Sequence, residues 1–336
     1  MAKNEYGGYL SFEQGEREYY ADTSEYNTYR LNAARYAMVT VVKQKQYGCV
    51  YLPYYICQSV VDAFERERID VKRYHINNRF EPAIESIDFN SVIVIPNYYG
   101  VFGLDFAESM LNRFDSIIFD NTQSFFSPPI LRKGVYNVYS PRKFVGVSDG
   151  AYLISKESFD LTLLFDDYSS ERCGYLYESL EKGTNDLYQK SLKAEIDLSE
   201  SEPRRMSVVT RAILSNLDYD RIKRVRRRNF RWMHTKLKGF NGLSDMCSTL
   251  EWDRNLVPMV YPVLMDGKGE WIRHRLIKNK IYVPQWWKVT EENMNSDNHE
   301  KNLSRDLIPV PIDQRYSLED LQNMLDIIMS VCQIDL

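Results

Sequence analysis

A carboxylate and an amine, each placed where an apolar run ends, are the residues of this chain best suited to chemistry. Ile117, Ile118 and Phe119 run into Asp120, with Gln123 and Ser124 just beyond. Val135 to Tyr139 is rich in strand-forming residues and runs into Ser140, Pro141, Arg142 and Lys143. In open α/β sheets, ligands bind outside the carboxyl ends of strands. A lysine in that place can form a Schiff base with an aldehyde, and a carboxylate can hold a ring nitrogen protonated. The two together suit pyridoxal phosphate (PLP). The amine must be neutral to attack, which calls for partial desolvation or a neighbouring cation. Alone, Ser-Pro-Arg-Lys reads as an exposed basic turn and Asp120 as a turn or cap aspartate. Their succession after two strands favours the chemical reading.

Two such strand ends need a sheet behind them. Residues 32–45 carry helix formers, with Leu31, Ala34, Met38, Val41 and Val42 roughly on one face. Gly48 stops that helix, and a strand is expected over 49–52, closed by Pro53. A helix over 58–68 and a strand over 70–74 follow. Ser91–Pro96 (SVIVIP) is a continuous β-branched run of the kind found in buried parallel strands. A helix over 106–113 and a strand over 116–119 complete an alternation that predicts an α/β fold, a mostly parallel sheet with helices on both faces. Residues 152–155 add an antiparallel edge or neighbour. Residues 182–203 read as a mixture of helix and mobile loop, and 206–217 and 220–238 as helices. In the second of these, Ile222, Val225, Trp232 and Leu237 lie near one stripe. The remainder predicts a smaller α+β lobe, with strands near 257–264 and 280–283, helices near 270–279 and 318–332, and a turn at 309–313. A chain of 336 residues exceeds what one core usually serves. The expected division is an irregular arm over 1–30, a large domain over 31–235 and a small C-terminal domain over 236–336.

The net charge of −4 implies no global steering toward nucleic acid or a membrane. The basic run from Arg221 to Arg231 is interleaved with apolar residues and reads as a solvated helix. No apolar run reaches membrane-spanning length, and the N-terminus lacks the apolar centre of a signal peptide. Five scattered cysteines without a C-x-x-C pair fit reduced thiols in a cytoplasm. The four histidines are isolated, which argues against a sequence-local metal site. Tyr6, Tyr9, Tyr19, Tyr20, Tyr26 and Tyr29 crowd the arm and would be costly to leave exposed together. The arm is therefore expected to pack on a partner subunit or a neighbouring lobe.

Around Asp120 to Gln123 and Ser140 to Lys143, the chain resembles the DegT/DnrJ/EryC1/StrS family of PLP-dependent sugar aminotransferases. This is a branch of the fold-type I, aspartate aminotransferase-like superfamily, and the resemblance runs from about Tyr29 to the C-terminus. It implies a large domain with a mostly parallel mixed sheet and a smaller α+β domain. It assigns Lys143 as Schiff-base lysine and proton carrier, Asp120 to the ring nitrogen, Gln123 to a place beside the cofactor ring, and Ser140 to the phosphate. Asn32-Ala33-Ala34-Arg35 matches the turn that opens the first helix of the large domain, where backbone N–H groups take the phosphate. Ala34 and Arg35 are thus cofactor-binding candidates, Arg35 either touching phosphate or facing solvent. Tyr55 is the candidate for an aromatic ring stacked on the cofactor, with Tyr54 as the one-residue alternative. Asn97-Tyr98-Tyr99-Gly100 resembles the family's aromatic–glycine turn near the substrate. Trp286 and Trp287 with Tyr282 form either a sugar-stacking platform or packing.

Three departures accompany the resemblance, one being a glycine count of 15, low for a family that uses glycine around its cofactor. Asp149-Gly150-Ala151 stands where the family has a doubled glycine. Pro203-Arg204-Arg205-Met206 stands where it has Asn-Tyr-Arg-Met, whose asparagine reaches the neighbouring subunit's phosphate in relatives. The resemblance implies a homodimer with the active site at the subunit interface, a nucleotide-linked keto-sugar as amino acceptor, and glutamate or glutamine as donor. A lysine in place of histidine argues against the family's dehydratase branch. The departures motivate a second reading, a non-catalytic or regulatory member acting as a binding protein.

Overall fold

The computed structural model describes residues 12–253, 255–265, 267–287 and 299–332. Its main sheet is built from β1 (Asn27–Leu31), β2 (Cys49–Pro53), β3 (Asp70–Tyr74), β4 (Ser91–Pro96), β5 (Ile117–Asn121), β6 (Val135–Tyr139) and β7 (Ala151–Ser155). The spatial order is β1-β7-β6-β5-β4-β2-β3. The five strands β2 to β6 run parallel, and β7 lies antiparallel between β6 and β1. Helices Gln58–Arg66 and Leu104–Leu111 are the crossovers of the parallel pairs β2/β3 and β4/β5, and helix Ala34–Lys45 carries the chain from edge strand β1 across the sheet to β2.

Side chains in the central strands alternate between two cores, as a period of two dictates. Val92, Val94 and Ile118 face one core, together with Met38, Val41 and Val42 of the first helix. Ile93, Ile95, Ile117 and Phe119 face the other, which contains Phe230, Met233, Leu276 and Leu325 from the C-terminal half. The sheet is thus covered on both faces, and the expected α/β class is borne out. By the same parity Asp120 emerges on the face of Ile118, toward helix Ala34–Lys45. Register pairs Asp120 with Val138 and Asn121 with Tyr139, so Ser140 and Lys143 leave the sheet at the edge where Asp120 does.

Four expectations differ from the structure. Residues 27–31 were placed largely in an irregular arm but form β1, whose residues pair along β7. The segment NTYRL lacks an apolar alternation because an edge strand is half solvated. Residues 188–200, assigned to a helix–loop mixture, form one helix, Tyr188–Glu200. Residues 280–283 are not a strand; Lys280 has φ of 64°, which breaks an extended run. The expected turn at 309–313 begins instead as β9 (Leu307–Val310), antiparallel to β8 (Tyr261–Leu264). There Pro262 faces Pro309. Prolines signal a turn but are tolerated in a two-stranded sheet whose strands both have free edges.

The arm packs on its own chain. Tyr20 is buried, and its hydroxyl donates to the carbonyls of Phe125 (2.6 Å) and Ser127 (2.9 Å). Tyr19 meets Phe126 edge-on and contacts Tyr219. Tyr6 and Tyr9 lie outside the described residues. Among the described residues, no helix is long and apolar enough to cross a membrane.

Candidate functional site

A cleft opens at the carboxyl ends of β4, β5 and β6, against the start of helix Ala34–Lys45. Each wall follows from a local feature. β5 delivers Asp120, and the tight turn after it brings Thr122 and Gln123 back to the cleft. β6 ends at Ser140, and a single 3-10 turn, Pro141–Lys143, presents Arg142 and Lys143. Proline at the first position of that turn fixes φ where no N–H is needed.

Lys143 and Asp120 face one another electrostatically across the cleft. The Lys143 ammonium donates to Thr122 Oγ1 at 3.2 Å, and Asp120 Oδ1 accepts the Thr122 backbone N–H at 3.0 Å. Lys143 is exposed by surface area, its side chain opening into the cleft, yet many protein atoms crowd around its amine. That enclosure lowers its pKa by desolvation, against which the Asp120 charge pulls upward. Desolvation likewise raises Asp120, and the Lys143 charge pulls it down. Each group therefore keeps the other ionisable, and Lys143 gains the access to its neutral form that nucleophilic attack requires.

The first helix meets the cleft through Ala33, Ala34, Arg35 and Met38. No side chain caps it, so its first N–H groups lack the partner a serine or aspartate would supply. Arg35 is 7 % exposed; it donates to Ser59 Oγ (3.3 Å) and to the Leu198 carbonyl (2.9 Å), and its Nε has no partner. Ser140 leads into the 3-10 turn without capping it. Gln123 accepts the Tyr99 N–H at 2.7 Å through Oε1, which leaves its amide N–H groups to the cleft. That bond holds Tyr99 at a φ of 62° beside Gly100 at 74°. A Cβ on Gly100 would stand 2.6 Å from the Gln123 carbonyl oxygen, so this turn admits only glycine there.

Of the residues expected at the site, Ala34, Arg35, Asp120, Gln123, Ser140 and Lys143 line this one cleft. Tyr55 does not. It is fully buried, bonded through its hydroxyl to Tyr99 at 3.2 Å, while Ile56 and Cys57 line the cleft in its stead. The alternative, Tyr54, stacks on His75 instead of lining the cleft. The chain after Pro53 turns, so the parity of the strand does not carry into it. Trp287 supplies an aromatic wall, edge-on to Tyr55 at 4.4 Å.

Two residues escaped the sequence reasoning. Glu195 enters the cleft from helix Tyr188–Glu200, far along the chain, and no local pattern marks it. Arg226 was read within a solvated basic helix but is 2 % exposed. It donates to the carbonyls of Phe144 (3.1 Å) and Met259 (2.9 Å), and Gln314 donates to Phe144 as well (2.7 Å). These bonds clamp the peptide that follows Lys143. The buried stripe of helix Tyr219–Leu237 runs Ile222, Arg226, Phe230, Met233, Leu237. Arg226 lies four residues from both Ile222 and Phe230, a spacing that could have flagged it. A second cavity behind Asn97, walled by Phe102, Phe106, Phe119 and Ile130, lacks any lysine or arginine and is mostly apolar. Among the described residues, no group of three or more potential metal ligands converges.

No protein-family model matches the chain, and neither does any curated protein. Solved structures do. PseC from Helicobacter pylori, an aminotransferase involved in the biosynthesis of pseudoaminic acid, is 12% identical over 91% of this chain and 87% of its own, with a TM-score of 0.59. A DegT DnrJ EryC1 StrS aminotransferase from Brucella abortus is 11% identical over 90% and 85%, with a TM-score of 0.57. Spr1654 from Streptococcus pneumoniae, assigned as a sugar aminotransferase and solved in a PLP form, is 13% identical over 91% and 87%, with a TM-score of 0.55. Over nine-tenths of its length, this chain has the fold of PLP-dependent sugar aminotransferases of the DegT/DnrJ/EryC1/StrS type.

Proposed function

We propose that the protein is a PLP-dependent aminotransferase that moves an amino group onto a sugar carbonyl. The observation that carries this reading is the meeting of Lys143, Asp120 and an uncapped helix start in one cleft of this fold. The donor set suits the cofactor. Arg35, with an unpartnered buried Nε, the first N–H groups of helix Ala34–Lys45 and the Ser140 hydroxyl would hold a phosphate. Asp120 would pair with the ring nitrogen, Gln123 would donate to the ring oxygen, and Ile56 and Trp287 would exclude water.

PLP, when bound, supplies an aldehyde for amine exchange and a pyridinium ring that takes up the electron pair left by a departing proton. The chain's own part is proton management. Asp120 would keep a proton on the ring nitrogen of the bound cofactor. Lys143, with its pKa lowered, attaches through its neutral amine and then carries a proton between two carbons as general base and acid. Arg226 and Gln314 hold the peptide after Lys143 in place while it does so.

The acceptor in this proposal is a nucleotide-linked keto-sugar and the donor glutamate or glutamine. The assembly is a homodimer. Helix Tyr188–Glu200 leaves Tyr188, Leu192 and Ile196 exposed at four-residue intervals, next to the exposed Tyr177 and Leu180. Glu195 of the same helix lines the cleft, so a second copy covering this stripe would also close the site. Five free thiols support a reducing compartment such as the cytoplasm.

Borohydride reduction of the PLP-loaded protein should fix the cofactor on the peptide containing Lys143, and glutamate should discharge the visible absorption. Label on another lysine would overturn the assignment. PLP capture without any response to amino donors would favour the binding-protein reading. Sedimentation at micromolar concentration should give twice the chain mass.

A further inference from the structure

Arg142 lines the cleft next to Lys143, and its guanidinium is ion-paired with Glu195. The pair is open to water: 21 % of the arginine side chain and 54 % of the glutamate side chain are exposed. Ion pairs this exposed are weak. Glu195 is the only hydrogen-bond partner of Arg142 among the described residues. The other cations of the cleft have buried partners or, in the proposed function, the cofactor phosphate to hold. Lys143 is bound to Thr122 and faces Asp120, and Arg35 turns to Ser59 and to the Leu198 carbonyl. Arg142 is therefore the cleft cation whose partner is exchangeable at low cost.

The helix that brings Glu195 is suited to exchange. In Tyr188–Glu200 only Ala194 and Leu198 are buried. Its fixed end is the last turn, where Arg35 and Arg66 hold the Leu198 and Ser199 carbonyls. A half-exposed carboxylate on such a helix can turn to water without leaving a buried charge.

We propose that Arg142 is the anion-recognition residue of the cleft and that Glu195 is its internal placeholder, displaced when a substrate's paired anionic oxygens arrive. The planar guanidinium fork takes carboxylate and phosphate oxygens two at a time. The inference rests on the aminotransferase reading for its two candidate sources: the carboxylate of the amino donor, or the diphosphate of an activated sugar. The guanidinium keeps an anionic partner throughout, and the added negative charge is met by turning the exposed Glu195 carboxylate to water.

The test uses the full chain without PLP, titrated by calorimetry with glutarate and, separately, with uridine diphosphate. Glu195→Gln removes the competitor and should tighten the responding probe about 2–5-fold, the range expected for losing an exposed ion pair. Arg142→Ala should weaken that probe on the order of 10-fold or more, as loss of a charged hydrogen-bond donor does. Arg142→Lys, which keeps charge without the fork, should fall between. A response to glutarate alone identifies the donor carboxylate, and one to uridine diphosphate alone identifies the activated sugar. Unchanged affinity in Arg142→Ala, no tightening in Glu195→Gln, or failure of the wild type to bind either probe at millimolar concentration overturns the inference. PLP capture is read separately by absorbance. Failure of the wild type to capture PLP would defeat the proposed function, whereas intact capture with an indifferent Arg142→Ala would defeat this inference alone.

Discussion

Two aspartates lie on either side of Lys143 in sequence, both buried, and the protein treats them in opposite ways. Asp149 is 0 % exposed, and donors surround it. Its carboxylate accepts from the Ser169 hydroxyl (2.9 Å), the Ser207 hydroxyl and N–H (both 2.8 Å) and the Thr210 hydroxyl. Asp120 is 6 % exposed and accepts one backbone N–H, with Lys143 as its counter-charge. A carboxylate whose lone pairs are filled by fixed donors ties chain segments together and has nothing left to offer a ligand. One that is kept short of donors beside a cleft holds its charge available. The count of donors, more than the depth of burial, separates a structural from a chemical carboxylate.

This contrast can be broken by substitution. The largest expected effect is at the amine that Asp120 serves. Lys143→Ala should end covalent capture of PLP and reduce turnover by about 10²–10⁴-fold through the proton-transfer role alone. Capture that persists on borohydride reduction would move the chemistry elsewhere. Asp120→Asn should keep capture at Lys143 but slow turnover on the order of 10²-fold or more, as loss of a charge aimed at the reacting group does. The sign of its pH effect is fixed. The Asp120 charge raises the pKa of Lys143, so its removal should shift the pH midpoint of reductive trapping downward. An upward shift would break the pairing of the two groups.

Asp149→Ala should do the reverse. Stability falls by roughly 3 kcal/mol in urea unfolding, because several buried donors lose their acceptor. The fraction that remains folded should still trap PLP at Lys143. The smallest effect is expected at Ser207, whose hydroxyl both caps helix Val208–Ser215 and bonds Asp149. Ser207→Ala should cost about 1–2 kcal/mol, read as a shift in the same urea midpoint. An Asp149→Ala variant as stable as wild type would remove the structural half of the contrast.

The sheet and the placement of the two residues proposed to react were legible because both are written locally. SVIVIP can hardly be anything but a strand buried on two faces, and Asp120 and Lys143 stand where strand patterns stop. The rest of the site depends on segments that converge from far apart. Glu195 carries no sign of its place in helix pattern or composition, Trp287 was readable only as either a stacking platform or packing, and Tyr55 was misplaced because a one-residue change of direction after Pro53 turns its ring into the core. Asp149 was visible only as a departure from a glycine pair. The acceptor it provides has meaning only once Ser169, Ser207 and Thr210 are near it. β1 and β9 were missed for a different reason: their stability lies in neighbours, Ala151–Ser155 and Tyr261–Leu264, rather than in their own propensity.

The pairing of β1 with β7 also sets a timetable for synthesis. The arm is made before the sheet it packs on, yet the Tyr20 hydroxyl finds its acceptors 105 and 107 residues later, and β1 waits for β7. The parallel block from β2 to β5 can assemble in the meantime from nearer neighbours. The segment carrying Tyr19 and Tyr20 therefore stays unsheltered until residues 125–155 have been made. A cleft that draws on Glu195 and Trp287 is completed later still.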